Sequence, residues 1–194
     1  ARPFIGPCTV DLNATTRLSL YQGKVWSPYE NKAAIFRLDP ISGLSWGVAE
    51  RAIVYKGAES ACGSGHLWNQ GVIKTANKWL MSAQCDIKVS VNGTETKVAI
   101  ALVFSSKDGY MWNLMSKVNV TAPVGEKQCT SPGENTIVQL SGKGLLLVAR
   151  CGDNQQLLAW ISTNGAVTWQ RHRLTQGMFG VMPVAVRMDN GAIV

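Results

Sequence analysis

The sequence predicts an all-β protein built of antiparallel meander units, and three observations carry that prediction. Apolar residues at helical spacing are hard to find anywhere along the chain. Short apolar stretches instead alternate with turn signals at intervals of roughly ten residues. A strand–turn–strand unit that ends in a tryptophan recurs.

The elements follow in order. Val72-Ile73-Lys74 leads through Ala76-Asn77-Lys78 into the run Trp79 to Gln84. The apolar run Lys97 to Phe104 follows the turn signal Asn92-Gly93 and reads as a strand. Thr136 to Leu140 turns at Ser141-Gly142-Lys143-Gly144 into Leu145 to Arg150, and Leu157 to Ile161 runs into a further turn. Each pair reads as a hairpin, with no linker or low-complexity break between them.

The repeat is superimposed on this meander. Ser105-Ser106-Lys107-Asp108-Gly109-Tyr110-Met111-Trp112 and Ser162-Thr163-Asn164-Gly165-Ala166-Val167-Thr168-Trp169 each follow an apolar strand, with a fainter third copy at Gly43-Leu44-Ser45-Trp46. Asp or Asn caps the N–H groups of the turn, Gly takes a positive φ, and Trp buries between sheets. One supersecondary unit repeated at this spacing points to a propeller or a solenoid.

Composition narrows the function. The chain of 194 residues is 46% apolar and only 16% charged, so it is globular. The run Gly144 to Ala149 is far too short to span a bilayer, and no transmembrane segment is expected. The net charge of +7 suits an anionic partner, but Lys and Arg are scattered singly. Nucleic acid, which needs a clustered basic stripe, is therefore not expected. An acidic sugar or an anionic cell surface suits the scatter, as does plain solubility.

Five cysteines stand at 8, 62, 85, 129 and 151, none at the short spacing of a zinc finger, and neither metal nor cofactor is expected. Sequons at Asn13, Asn92 and Asn119 favour glycosylation and a secreted or cell-surface location, where disulfides form. Cys62 with Cys85 and Cys129 with Cys151 are the first pairings to test, with Cys8 free or joined elsewhere; other connectivities stay open. Two apparent motifs carry nothing. Ala61-Cys62-Gly63-Ser64-Gly65-His66 lacks the second Cys and the helix of a cysteine-protease nucleophile, and no helix follows Gly142-Lys143-Gly144 to make a phosphate loop.

The repeat resembles the Asp box of sialidases, Ser-x-Asp-x-Gly-x-Thr-Trp, in degenerate form. The first copy lacks the Thr; the second has Asn164 and a misplaced Gly. The order of Gln84, the box ending at Trp112, Glu134 in Pro132-Gly133-Glu134-Asn135, Arg150 and the box ending at Trp169 is similar to that of trypanosomal trans-sialidases, from about Trp46 to Pro183. The resemblance implies a sialidase-type six-bladed β-propeller. At about 40 to 50 residues per blade, residues 1–194 supply about four blades of one domain, an incomplete ring that other chain segments or other subunits complete.

The resemblance also implies a chemistry. Three arginines clamp a sugar carboxylate, a Tyr activated by a Glu attacks, and an Asp serves as acid/base. Guanidinium forks match a carboxylate bidentately, and a neutral phenol approaches an anionic sugar without repulsion. Sialidases are the Tyr-nucleophile exception among glycosidases. Glu134 fits the activating Glu, Arg150 the second arginine, Gln84 a sugar contact, and Trp26 and Phe179 the aromatics flanking the acceptor. The first arginine, the Asp and the Tyr belong to parts of the family outside this chain. Val181 stands where the third arginine is expected, with Arg187 the next candidate.

Each pick has a plainer reading. Glu134 is a turn residue, Arg150 a sheet-edge charge, Gln84 a strand-end amide, and the two aromatics are packing residues. Three functions follow: an exo-sialidase or trans-sialidase, a catalytically inactive adhesin or lectin binding sialylated glycans, and a structural glycoprotein.

Overall fold

The computed structural model describes residues 9–13, 16–20, 30–39, 43–46, 52–62, 67–91, 93–118, 129–152 and 154–194, the first four stretches as backbone only. The chain is all-β as predicted; among the described residues the one helix is α1, Ala58–Cys62. Four amino-terminal strands, β1 (Thr9–Asn13), β2 (Thr16–Leu20), β3 (Glu30–Asp39) and β4 (Gly43–Trp46), lead into β5 (Ala52–Lys56). Two four-stranded antiparallel meanders follow. The first is β6 (Leu67–Lys74), β7 (Trp79–Val91), β8 (Thr94–Ser106) and β9 (Met111–Lys117). The second is β10 (Pro132–Gln139), β11 (Leu145–Cys151), β12 (Leu157–Ser162) and β13 (Gln170–His172).

These meanders are the blades of a partial β-propeller. The first is extended, because β5 pairs in parallel with β9 and antiparallel with β3, which carries β2 and β4. Gly43–Trp46, read as a faint third box, is strand β4 itself.

Alternation along the strands explains how the blades stack. On β7, Leu80 and Ser82 face the second blade while Met81, Ala83 and Cys85 face the first core with Tyr55, Leu102, Phe104 and Trp112. Between the blades Leu80, Ala101 and Val103 meet Ile137, Leu147, Ala149, Leu158 and Trp160. Burial on both faces is why β8 and β11 read as nearly continuous apolar runs. The far face of the second blade (Val138, Leu146, Val148 and Ala159) is covered in part by Ala185 and Ile193 from the carboxyl-terminal segment.

Both expected disulfides form. Cys62–Cys85 ties α1 to β7 and Cys129–Cys151 ties the entry of β10 to the end of β11, with Cα separations of 5.9 and 5.7 Å. Cys8 lies outside the described residues.

The two repeat turns are one device with a one-residue difference. Ser106 Oγ accepts the N–H of Gly109 at 2.8 Å, and Asp108 Oδ1 accepts those of Tyr110 and Met111. In the second turn Ser162 Oγ accepts the N–H of Ala166 at 3.0 Å, and Asn164 Oδ1 that of Thr168. Gly109 has φ +79° and Ala166 has φ +76°. Ala166 therefore fills the place that Gly holds in the first turn, one position later in the sequence, which is why the glycine at 165 looked displaced. Trp112 and Trp169 are buried, in keeping with a structural role.

Candidate functional site

The site is built at the start of β10. Pro132 has no N–H to donate and suits the first position of a strand. The register slips between Pro132 and Asn135, a bulge that re-aims the side chain at Glu134. Three ties hold this entry: the Cys129–Cys151 disulfide, the 2.8 Å bond from Gly152 N–H to Ser131 O, and the 2.8 Å bond from Ala99 N–H to Ser131 Oγ.

Glu134 and Arg150, singled out separately in the sequence, come together. Arg150 ends the row Leu146, Val148, Arg150 on the far face of β11, and its Nε lies 3.0 Å from Glu134 Oε2. The side chains are 26% and 25% exposed, so water still reaches the pair. The same carboxylate oxygen accepts the N–H of Met182 at 2.8 Å. Met182 has φ +48°, a strained conformation for a side-chain-bearing residue, and the contact with Glu134 helps to hold it.

Phe179 sits on the same rim. It bridges Gln156, the neighbour of Leu157, and Leu157 is the cross-strand partner of Arg150. Its ring is 67% exposed, so packing in a core is not its role.

Gln84 is placed differently. Its Oε1 lies against the side of β10 where a Gly133 Cβ would point, at 3.5 Å, and its Nε2 donates to Asp86 Oδ1 at 3.1 Å. Glu134 faces the opposite side of the strand with Arg150. A ligand would have to lie across the end of β10 to touch both.

Arg187 is not at the site. Its Nη1 donates to Leu140 O, at the other end of β10. That is six residues from Glu134, roughly 20 Å along an extended strand. Val181 is exposed near the rim and brings no charge. Trp26, Asn92 and Asn119 lie outside the described residues, and Asn13 is described only as backbone of β1. Among the described residues no group of three or more His, Cys, Asp or Glu could hold a metal ion.

Sequence reasoning missed Asn135 and Met182. Asn135 is buried and its Nδ2 donates to Ala83 O at 3.1 Å and Gly133 O at 2.9 Å, locking the bulge to the first blade. A polar residue opening an apolar run was the available signal. Below the pair, a cavity of about 150 Å³ lies between β6 and β10, lined in part by Gln70, Gly71, Asn135, Thr136 and Pro183. Gly71 lets β6 and β10 approach closely beside it, since a Cβ there would come within 3.3 Å of Ser82 Oγ, Thr136 Oγ1 and Ile137 N.

No family model matches the chain, and no curated protein matches its sequence. Solved structures do. A Bombyx mori GH32 β-fructofuranosidase superposes with a TM-score of 0.50 at 13% identity, over 81% of this chain and 32% of its own. An N-acetylgalactosamine deacetylase from F. plautii, solved with blood group B trisaccharide, gives 0.51 at 13% identity, over 84% of this chain and 50% of its own. A Trypanosoma rangeli sialidase mutant with trans-sialidase activity gives 0.42 at 11% identity over 87% of this chain and 37% of its own, too loose a superposition to add to the other two. The likeness is one of fold. The chain spans about a third to a half of the length of the first two.

Proposed function

We propose that this chain is the glycan-recognising part of a sialidase-type propeller glycoprotein, with the rim around Arg150 receiving the carboxylate of a terminal sialic acid. The observation that supports the reading is the Glu134–Arg150 ion pair, a half-buried guanidinium oriented at a strand end. A guanidinium has five N–H donors, more than one carboxylate oxygen uses, so a ligand carboxylate can share it. Exposed Phe179 on the same rim offers an apolar face to a sugar ring. The disulfides are compatible with an extracellular setting, and sequons at Asn13, Asn92 and Asn119 agree with one.

Binding is favoured over hydrolysis by one observation: the Glu134 carboxylate is already engaged by Arg150 and by the Met182 N–H, so a phenol would have to compete for it. A trans-sialidase or sialidase activity would need its Tyr, Asp and further arginines from other chain segments. Titration of sialyl-lactose against the parent and Arg150→Ala tests the reading. A loss of at least tenfold in affinity is expected, and equal affinity of the two proteins sinks it.

A further inference from the structure

The lysines that look scattered in sequence are gathered in space by the meander. Both blades point the same way, since Gly71 lies against Ile137 and Gly133 against Gln84. The β6–β7, β8–β9 and β10–β11 turns therefore share one end, and the Glu134–Arg150 rim occupies the other. The turn end carries Lys74 and Lys78 on its first hairpin, Lys107 on the second, Lys143 on the third, and Arg187 beside Leu140. Strands two apart in a sheet, and stacked sheets, are each separated by roughly 10 Å, so these cations form a grid of about that spacing.

The two ends differ in how their charges are used. At the rim end, Lys88 pairs with Glu95, Lys97 with Asp86 and Arg150 with Glu134. At the turn end, Lys78, Lys107 and Lys143 have no ion-pair partner among the described residues. The carboxylates there are Asp108, whose Oδ1 caps its own turn, and Asp189 on the carboxyl-terminal hairpin. The five cations named at this end against those two carboxylates leave a surplus of three positive charges there among the described residues, and Lys78, Lys107 and Lys143 carry it without an ion-pair partner.

We infer that the turn end is a second interaction surface, for a linear acidic polysaccharide, on the opposite side of the molecule from the Arg150 rim. Cations about 10 Å apart match widely spaced acidic groups on a sugar chain better than the dense charge of a duplex, one per roughly 1.7 Å of axis. Disulfides place the chain most naturally in an oxidising compartment, where acidic polysaccharides are the abundant linear polyanions. Met111 is exposed on these turns and Val186 and Met188 flank Arg187, but they stand on separate hairpins and are too few to make the apolar face that seats in a lipid surface.

The test is binding of the full chain to heparin, followed across a salt series, for the parent and Lys78→Glu/Lys107→Glu/Lys143→Glu. These side chains hold no other element in place, and a matched thermal melt confirms folding. Affinity should fall by roughly a hundredfold at low salt, and the log–log salt slope should fall by roughly two. Lys88→Glu/Lys97→Glu/Lys117→Glu carries the same charge change at the opposite ends of β7, β8 and β9 and should lose far less, and Arg150→Ala should bind heparin as the parent does. Equal losses in the two triple variants, an unchanged turn-end variant, or tighter binding of the parent to duplex DNA or phosphatidylserine vesicles than to heparin would each overturn the inference.

Discussion

Ser116 on β9 of the first blade holds Trp169 of the second: the indole Nε1–H donates to Ser116 Oγ at 3.0 Å. The same hydroxyl donates to Ala166 O at 2.6 Å. One side chain thus fixes both the tryptophan and the positive-φ residue of the neighbouring blade's turn. The blades are joined here by directed bonds as well as by apolar burial.

Ser116→Ala should therefore destabilise more than an ordinary surface change. It leaves a largely buried indole N–H and a carbonyl without partners, which costs about 1–3 kcal/mol. Thermal or denaturant unfolding of the variant measures it, and a shift equivalent to less than about 0.5 kcal/mol contradicts the role assigned to the tie.

Gly57 links β5 to α1 at φ +83°, and a Cβ there would lie 3.0 Å from the Cβ of Leu114. Gly57→Ala meets two penalties at once, a left-handed backbone and a steric overlap, together about 1–3 kcal/mol. Leu114→Ala in the same protein should not rescue it, because the obstructing Cβ remains. A rescued midpoint in urea would show that the overlap is not with that atom.

Much of this fold was legible because it rests on local chemistry. Turn residues at 76–78, 93 and 141–144 punctuate the chain where the hairpins turn or open, and the two cysteine pairings put first for testing are the ones that form. Glu134 and Arg150 were each singled out through the resemblance, and the hairpin of β10 and β11 that they flank brings them together. What was not legible depends on contacts between distant segments. Nothing local to Gln84 says which side of β10 it will face. Nothing near Met182 says that its N–H will reach a carboxylate 48 residues earlier. Arg187 looked available for a ligand until packing carried it to Leu140.

The Cys129–Cys151 disulfide should matter to binding as well as to stability. It closes a loop with a sequence separation of 22, for which the chain-entropy account gives about 3 kcal/mol. It also anchors the entry of β10 one turn before Glu134. Cys129→Ser/Cys151→Ser should unfold earlier and, at temperatures where it stays folded, bind sialyl-lactose more weakly. Removal of Cys62–Cys85 (Cys62→Ser/Cys85→Ser), which lies in the first core and holds neither end of β10, should lower stability with affinity of the folded protein unchanged. Equal affinity losses in the two would argue that global loosening, rather than the anchored bulge, sets binding.

Glu134→Gln separates the two jobs of that carboxylate. The amide keeps an oxygen to accept the Met182 N–H but gives up the charge facing Arg150. Because water reaches both side chains, losing the ion pair should cost stability no more than about 1 kcal/mol. Its effect on an acidic ligand runs the other way. A ligand carboxylate at Arg150 must share the guanidinium with Glu134 and approach its negative charge, so neutralising Glu134 removes a competitor and a repulsion. Affinity for sialyl-lactose should rise severalfold in Glu134→Gln and affinity for neutral lactose should not change. If Glu134 instead assists a phenolic nucleophile from another segment, the same variant would bind no better and would lose any hydrolytic activity the complete propeller has. Calorimetric titration of the two sugars against parent and variant decides between these roles.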